Sequence, residues 1–224
     1  MRQRRKRTAG SKPHRTLNRA TSNHEDRIVL PGAGPDSGLI TKLHAMKTLR
    51  APALVLGLLY LGFLGSLAFT FTHSPARLAT HFAASGQPNG WMSRDSHLWH
   101  MLAFGLAFPL FVPAIIYVSR FLPDGLYNIP HRDYWFAPAR RSQTLAYLFR
   151  HSLWFASLAL CFVMGIHFSI IHSNTLGHPQ LSPLVVVPLA GCFILGTIIW
   201  AVSPMRHFNH VAQRAVPGGR IDQG

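Results

Sequence analysis

Acidic side chains are scarce in this chain, which carries seven Asp and Glu against 22 Lys and Arg, and Glu25 is its sole glutamate. With that one residue set in a basic N-terminal run, a His-Glu-x-x-His metalloprotease helix and most glutamate-based acid–base pairs are excluded. Asp95, Asp124 and Asp133 stand isolated between apolar runs, and no Gly-x-Ser-x-Gly elbow, phosphate loop or dinucleotide fingerprint occurs. The chain is therefore expected to be no enzyme and to carry no cofactor. Only two cysteines are present, Cys161 and Cys192, both inside apolar runs, where they read as packing residues and not as a disulfide framework.

Charge is also missing from four long apolar windows, 51–71, 98–118, 152–171 and 184–202, none of which contains Lys, Arg, Asp or Glu. A bilayer is crossed by roughly 20 residues at about 1.5 Å each. A charge at mid-helix costs about 3 kcal/mol on insertion, so its absence from all four windows fits spanning. Four buried helices of a soluble domain would each keep a charged face, and these do not. The expected fold is all-α and polytopic, with four transmembrane helices in contact with lipid.

The net charge of +15 is unevenly placed, with 12 Lys and Arg in residues 1–50, two in 72–97, five in 119–151 and none in 172–183. By the positive-inside rule both termini and the middle connector are cytoplasmic, and the loop between helices 1 and 2 faces outward. Topology and anionic lipid account for the basic segments, and no nucleic-acid module is visible. Residues 1–45 read as a disordered basic tail, with an over-extended start as one origin. Residues 46–122 form the first helix pair with its loop, and 123–151 an aromatic and basic connector. Helices 3 and 4 follow in 152–203, and a cytoplasmic tail in 204–224. Pro109 and Pro113 are expected to kink helix 2, and Gly57, Gly62, Gly65 and Ser66 to give helix 1 a small-residue packing surface.

The outward loop holds the most specific stretch, THFAASGQPNGW at 80–91. Pro88 presets one turn dihedral, while Asn89 and Gly90 accept left-handed or bridge conformations. Gly86 belongs to the same turn. Phe82 and Trp91 flank it as candidate interface anchors, with His81 at its rim. A compact hairpin or Ω-like loop is expected, its plain alternative being a passive joint between two helices.

The run PARLATHFAASGQPNGWMSR at 75–94 resembles the outward loop of a bacterial membrane-protein family of unknown function, numbered sixteen-forty-eight. Pro75, Leu78, His81, Phe82, Gly86, Pro88, Asn89, Gly90, Trp91, Ser93 and Arg94 match the recurring pattern; Ala79 and Ala83 depart from it. The family also forms the N-terminal part of SdpI-like proteins, which give immunity to a secreted toxin and signal its presence. The resemblance implies a bacterial cytoplasmic-membrane protein that senses, or protects against, an extracellular peptide or envelope component through this loop.

In the connector, Pro130 and Pro138 bracket Tyr134, Trp135 and Phe136 beside Arg132, Arg140 and Arg141. Such a segment suits either the cytoplasmic leaflet or docking of a cytoplasmic protein. Histidine is abundant at 14 residues. His97 and His100 project from one face of helix 2. Were His167 and His172 to meet them, three or four imidazoles would hold Zn²⁺ or Cu²⁺, making a metal-binding membrane protein the second reading. A third reading is an assembly subunit whose helices pack on another membrane protein or on a second copy.

Overall fold

The protein is described by a computed structural model covering residues 35–215, with side chains described for 49–209. Its elements in order are α1 (Pro35–His73), β1 (Arg77–Phe82), β2 (Pro88–Ser93), α2 (Arg94–Ser119), a 3-10 turn (Asp124–Leu126), α3 (Arg132–Trp135), α4 (Arg141–Thr175) and α5 (Pro183–Ala215). Residues 1–34, most of the expected N-terminal tail, lie outside the described residues. α1 starts at Pro35, upstream of the first apolar window, and α4 starts at Arg141, inside the stretch read as connector.

Among the described residues, four segments are long and apolar enough to cross a membrane: Leu49–His73, Arg94–Ser119, Arg141–Thr175 and Pro183–Asn209. This is a multi-pass membrane protein. Its surface agrees, since Leu54, Leu58, Leu61, Leu184, Val187 and Ile199 stand mostly exposed along the helices. An apolar face of that extent needs hydrocarbon around it.

α4 is the central helix, packed on α1, α2 and α5. Its small residues explain this: Ser152, Ala156 and Ala159 are wholly buried and let the neighbouring backbones come close. Phe63 and Leu67 of α1 join Leu153, Leu160 and Val163 of α4 in the main core. The small-residue surface of α1 is only partly used. Ser66 is buried and Gly62 faces Met164, while Gly57 and Gly65 face open space.

α2 is capped by Ser93, whose hydroxyl accepts from the Ser96 amide at 3.1 Å, with Asp95 in its first turn. It continues as helix through Pro109 and Pro113. Proline lacks the N–H that would bond the carbonyl four residues earlier. The carbonyl freed by Pro109 is that of Gly105, and the Tyr60 hydroxyl of α1 donates to it at 3.2 Å. Pro204 in α5 likewise frees the Trp200 carbonyl, which receives His151 Nε2–H at 2.8 Å. Trp200 Nε1–H donates in turn to the His151 carbonyl at 2.8 Å. Both of these proline-freed acceptors are thus met from the neighbouring helix, as hydrocarbon surroundings require.

At the end of the bundle away from the hairpin, the connector folds into an aromatic cap. Trp135 and Phe136 are buried with Phe208 of α5, and Trp135 Nε1–H donates to the Phe208 carbonyl at 3.1 Å. Thr144 Oγ1–H donates to the Trp135 carbonyl at 2.9 Å. The Trp135 indole, read from sequence as part of a segment suited to the cytoplasmic leaflet or to protein docking, is spent on an internal bond to α5. Arg140 lies 3.9 Å from the Tyr134 ring centre, and Arg141 pairs with Asp124 at 2.9 Å. These two arginines brace the cap.

Candidate functional site

β1 and β2 pair antiparallel, with Arg77 opposite Ser93, Ala79 opposite Trp91, His81 opposite Gly90 and Phe82 opposite Pro88. The register slips between Ala79 and His81 and again between His81 and Phe82, leaving Thr80 and Asn89 as extra residues. Such bulges twist a hairpin and re-aim its side chains. The turn closes through Ala83 N–H to the Gln87 carbonyl at 2.9 Å and Gly86 N–H to the Ala83 carbonyl at 2.8 Å.

Two glycines of the run have separate tasks. Gly86 has φ +81°, and a Cβ there would overlap the Leu181 carbonyl oxygen. Gly90 lies under the His81 ring, where a Cβ would come within 2.9 Å of the histidine Cβ. The first permits the left-handed turn, and the second lets the imidazole lie across the opposite strand.

The hairpin is docked and not free-standing. Asn174, at the end of α4, accepts from the Ala79 amide at 2.8 Å and donates to the Ala79 carbonyl at 2.9 Å. Its amide group occupies both main-chain groups of one strand residue, as a neighbouring strand would. At the tip, Leu181 N–H of the α4–α5 connector donates to the Gly86 carbonyl at 2.9 Å. At the base, Arg94 N–H donates to the Ala76 carbonyl at 2.9 Å, and its guanidinium to the Ser74 carbonyl at 3.3 Å. Leu78 and Ala79 are wholly buried against the bundle. Trp91 is 46 % exposed, and His81 and Asn89 are exposed.

Beneath the hairpin lies a buried polar chain. Thr70 of α1, His97 of α2 and His167 of α4 are all nearly inaccessible, with His167 fully buried. Thr70 Oγ1 lies 2.9 Å from the Ser66 carbonyl and 3.1 Å from His167 Nε2, while His167 Nδ1 lies 3.2 Å from His97 Nε2. One proton assignment satisfies every contact: Thr70 donates back along its helix, His167 Nε2–H donates to Thr70, and His97 Nε2–H donates to His167 Nδ1. Both rings are then neutral, and they stack with centres 5.3 Å apart. The chain ties α1, α2 and α4 together just below the hairpin.

Of the four histidines weighed as metal ligands, only two are brought together. His97 and His167 meet, but His100 is exposed and bonds back to the Ser96 carbonyl at 2.7 Å, and His172 stays apart from both. They diverge because α2 and α4 touch along one stripe each, leaving the other faces to the surface. Among the described residues no group of three or more His, Cys, Asp or Glu is placed to hold a metal ion. Two imidazoles bonded to one another make a structural link, short of the ligand number a zinc site takes.

Between α1 and α2, next to the hairpin, a groove of about 400 Å³ is lined by Leu64, Leu67, Phe71, Leu98 and Trp99, with Asp95 at one edge. Trp99 is 71 % exposed. The exposed Trp91 of the hairpin and this groove are the two candidate surfaces at this end of the bundle.

Residues 57–106 match the family model described as Domain of unknown function (DUF1648). The match covers under a quarter of the chain. No curated protein and no solved structure matches it. The DUF1648 segment takes in the end of α1, both strands and the first half of α2, and so contains Thr70, His81, Trp91 and His97. Two of the groups that dock its hairpin lie beyond it, Asn174 in α4 and Leu181 in the connector after it, and so does His167, the partner of Thr70 and His97. Asn174, Thr70 and Leu181 had no role in the sequence reading. The one available signal was a lone Asn at the edge of an apolar window, which reads equally well as a helix end.

Proposed function

We propose that this is a non-enzymatic, SdpI-like protein of the bacterial cytoplasmic membrane, whose hairpin meets an extracellular peptide or envelope component. The observation that carries this reading is the docked hairpin itself. The main chain of Ala79 and Gly86 is fixed to α4 and the following connector, while Trp91, His81 and Asn89 stay accessible. A passive joint has no need of that rigidity, and a preorganised surface loses little entropy on binding. Exposed tryptophan is also the side chain most enriched among binding hot spots. The adjoining groove, with Phe71, Trp99 and Asp95, suits an amphipathic peptide carrying apolar and cationic groups. The low positive charge of the hairpin segment supports an outward orientation by the positive-inside rule.

The test is genetic. Deletion in the host sensitises cells to a membrane-active peptide, wild type restores resistance, and Trp91→Ala at equal membrane abundance does not. Full rescue by Trp91→Ala removes the hairpin from the function.

A further inference from the structure

The opposite end of the bundle carries a second concave surface. A groove of about 520 Å³ opens between the end of α2 and the start of α4, with Leu49 of α1 at its back. Its walls are apolar, built from Ile116, Phe121, Leu145, Ala146 and Phe149. Arg120, Arg141 and Arg150 line the same groove, and among the described residues the one carboxylate paired with any of them is Asp124, with Arg141 at 2.9 Å. Among the described residues, three guanidinium groups against one carboxylate leave two positive charges without an acidic partner.

Those two are held in place by aromatic rings. Arg120 lies 4.0 Å from the Tyr117 ring centre and 5.0 Å from that of Phe121, and Arg150 lies 5.5 Å from that of Tyr147. Among the described residues neither guanidinium donates a hydrogen bond, so the forked N–H groups that match a phosphate remain available. Position along the membrane fits as well. α4 has 35 residues. At 1.5 Å each that is about 52 Å, well beyond a hydrocarbon core of about 30 Å. Its charge-free stretch begins shortly after Arg150, which sets the arginines at headgroup depth with apolar walls leading inward.

We propose that this groove binds an anionic phospholipid, its phosphate held by Arg120 and Arg150 and an acyl chain lying between α2 and α4. Basic pockets between transmembrane helices select acidic headgroups for this reason. Residues 1–34 of the chain make a poor occupant, because they carry nine Lys and Arg against two Asp and Glu and share the sign of the groove. The proposal does not depend on the role of the hairpin.

The full chain, stripped of lipid in detergent, is offered phosphatidylglycerol or phosphatidylcholine and weighed by native mass spectrometry. Phosphatidylglycerol is retained about tenfold more strongly, R120Q/R150Q lowers it to the phosphatidylcholine level, and R206Q, on α5 outside the groove, changes nothing. Equal retention of both lipids by wild type, or undiminished retention of phosphatidylglycerol by R120Q/R150Q, overturns the proposal. Displacement of the lipid by millimolar inorganic phosphate assigns the site to a free anion and overturns it too. A photoreactive side chain at Ala146 provides a readout with both arginines intact. It crosslinks to phospholipid, and capture of residues 1–34 or of a second copy refutes the assignment.

Discussion

Asn174 and Ala79, 95 residues apart, are joined by two hydrogen bonds, at 2.8 and 2.9 Å, between one side-chain amide and one residue's main chain. A third bond, from Asn174 Nδ2 to the Ile170 carbonyl at 2.8 Å, fixes the amide's orientation. The hairpin is therefore an extension of α4 and moves with it.

Asn174→Ala leaves the buried Ala79 amide and carbonyl without partners, a loss of about 1–3 kcal/mol for each group. Amide exchange across Arg77–Phe82 is expected to accelerate by tenfold or more, since about 1.4 kcal/mol is a factor of ten. Asn174→Asp keeps the acceptor but sets a carboxylate against the Ala79 carbonyl, and is expected to be at least as damaging. Unchanged exchange in both variants would show that the hairpin is held some other way.

Gly86→Ala acts on the tip. The left-handed φ of +81° and the overlap with the Leu181 carbonyl together oppose any side chain there. Strain of about 1–3 kcal/mol is expected. The Leu181 amide, which donates to the Gly86 carbonyl, is the local probe, and its exchange is expected to quicken while α1 and α2 stay protected.

For the buried histidines a double-mutant cycle decides. His97→Leu and His167→Leu are each expected to destabilise the bundle by about 1–3 kcal/mol, because each leaves a buried ring nitrogen unpaired. The double variant is expected to cost clearly less than the sum, as contacting residues do. Reversible unfolding in mixed micelles supplies the free energies, and strict additivity would mean that the two rings are not bonded.

Tyr60→Phe removes the donor that meets the Gly105 carbonyl freed by Pro109. A loss of about 1 kcal/mol is expected, in the range of hydrogen bonds between membrane helices. In a Pro109→Ala background the restored main-chain amide bonds the Gly105 carbonyl itself, and the same change at Tyr60 is expected to be nearly silent. An equal cost in both backgrounds would place the role of Tyr60 in packing.

Much of the fold was legible because hydrophobic length is a local property. The four windows could be counted directly, since the bilayer sets one length scale for every span. The turn at 83–90 was legible for a similar reason: Gly86, Pro88, Asn89 and Gly90 restrict their own dihedrals whatever surrounds them. The internal bond of Trp135 was not legible, because a tryptophan beside arginines reads the same whether its indole meets headgroups or the Phe208 carbonyl. Which of the four histidines meet was not legible, because spacing fixes which face of its own helix a residue takes, but not which face a neighbouring helix covers.

The sequence by itself determined the number of membrane crossings and the hairpin turn, through apolar length and backbone restriction. Only the tertiary structure decided that Asn174 clamps Ala79, that His97 bonds His167 while His100 and His172 stay outside, and that Arg120 and Arg150 share an apolar groove. Each of those relations joins residues far apart in the chain. They exist because α4 stands at the centre, and which faces it covers is settled by packing among all the helices at once.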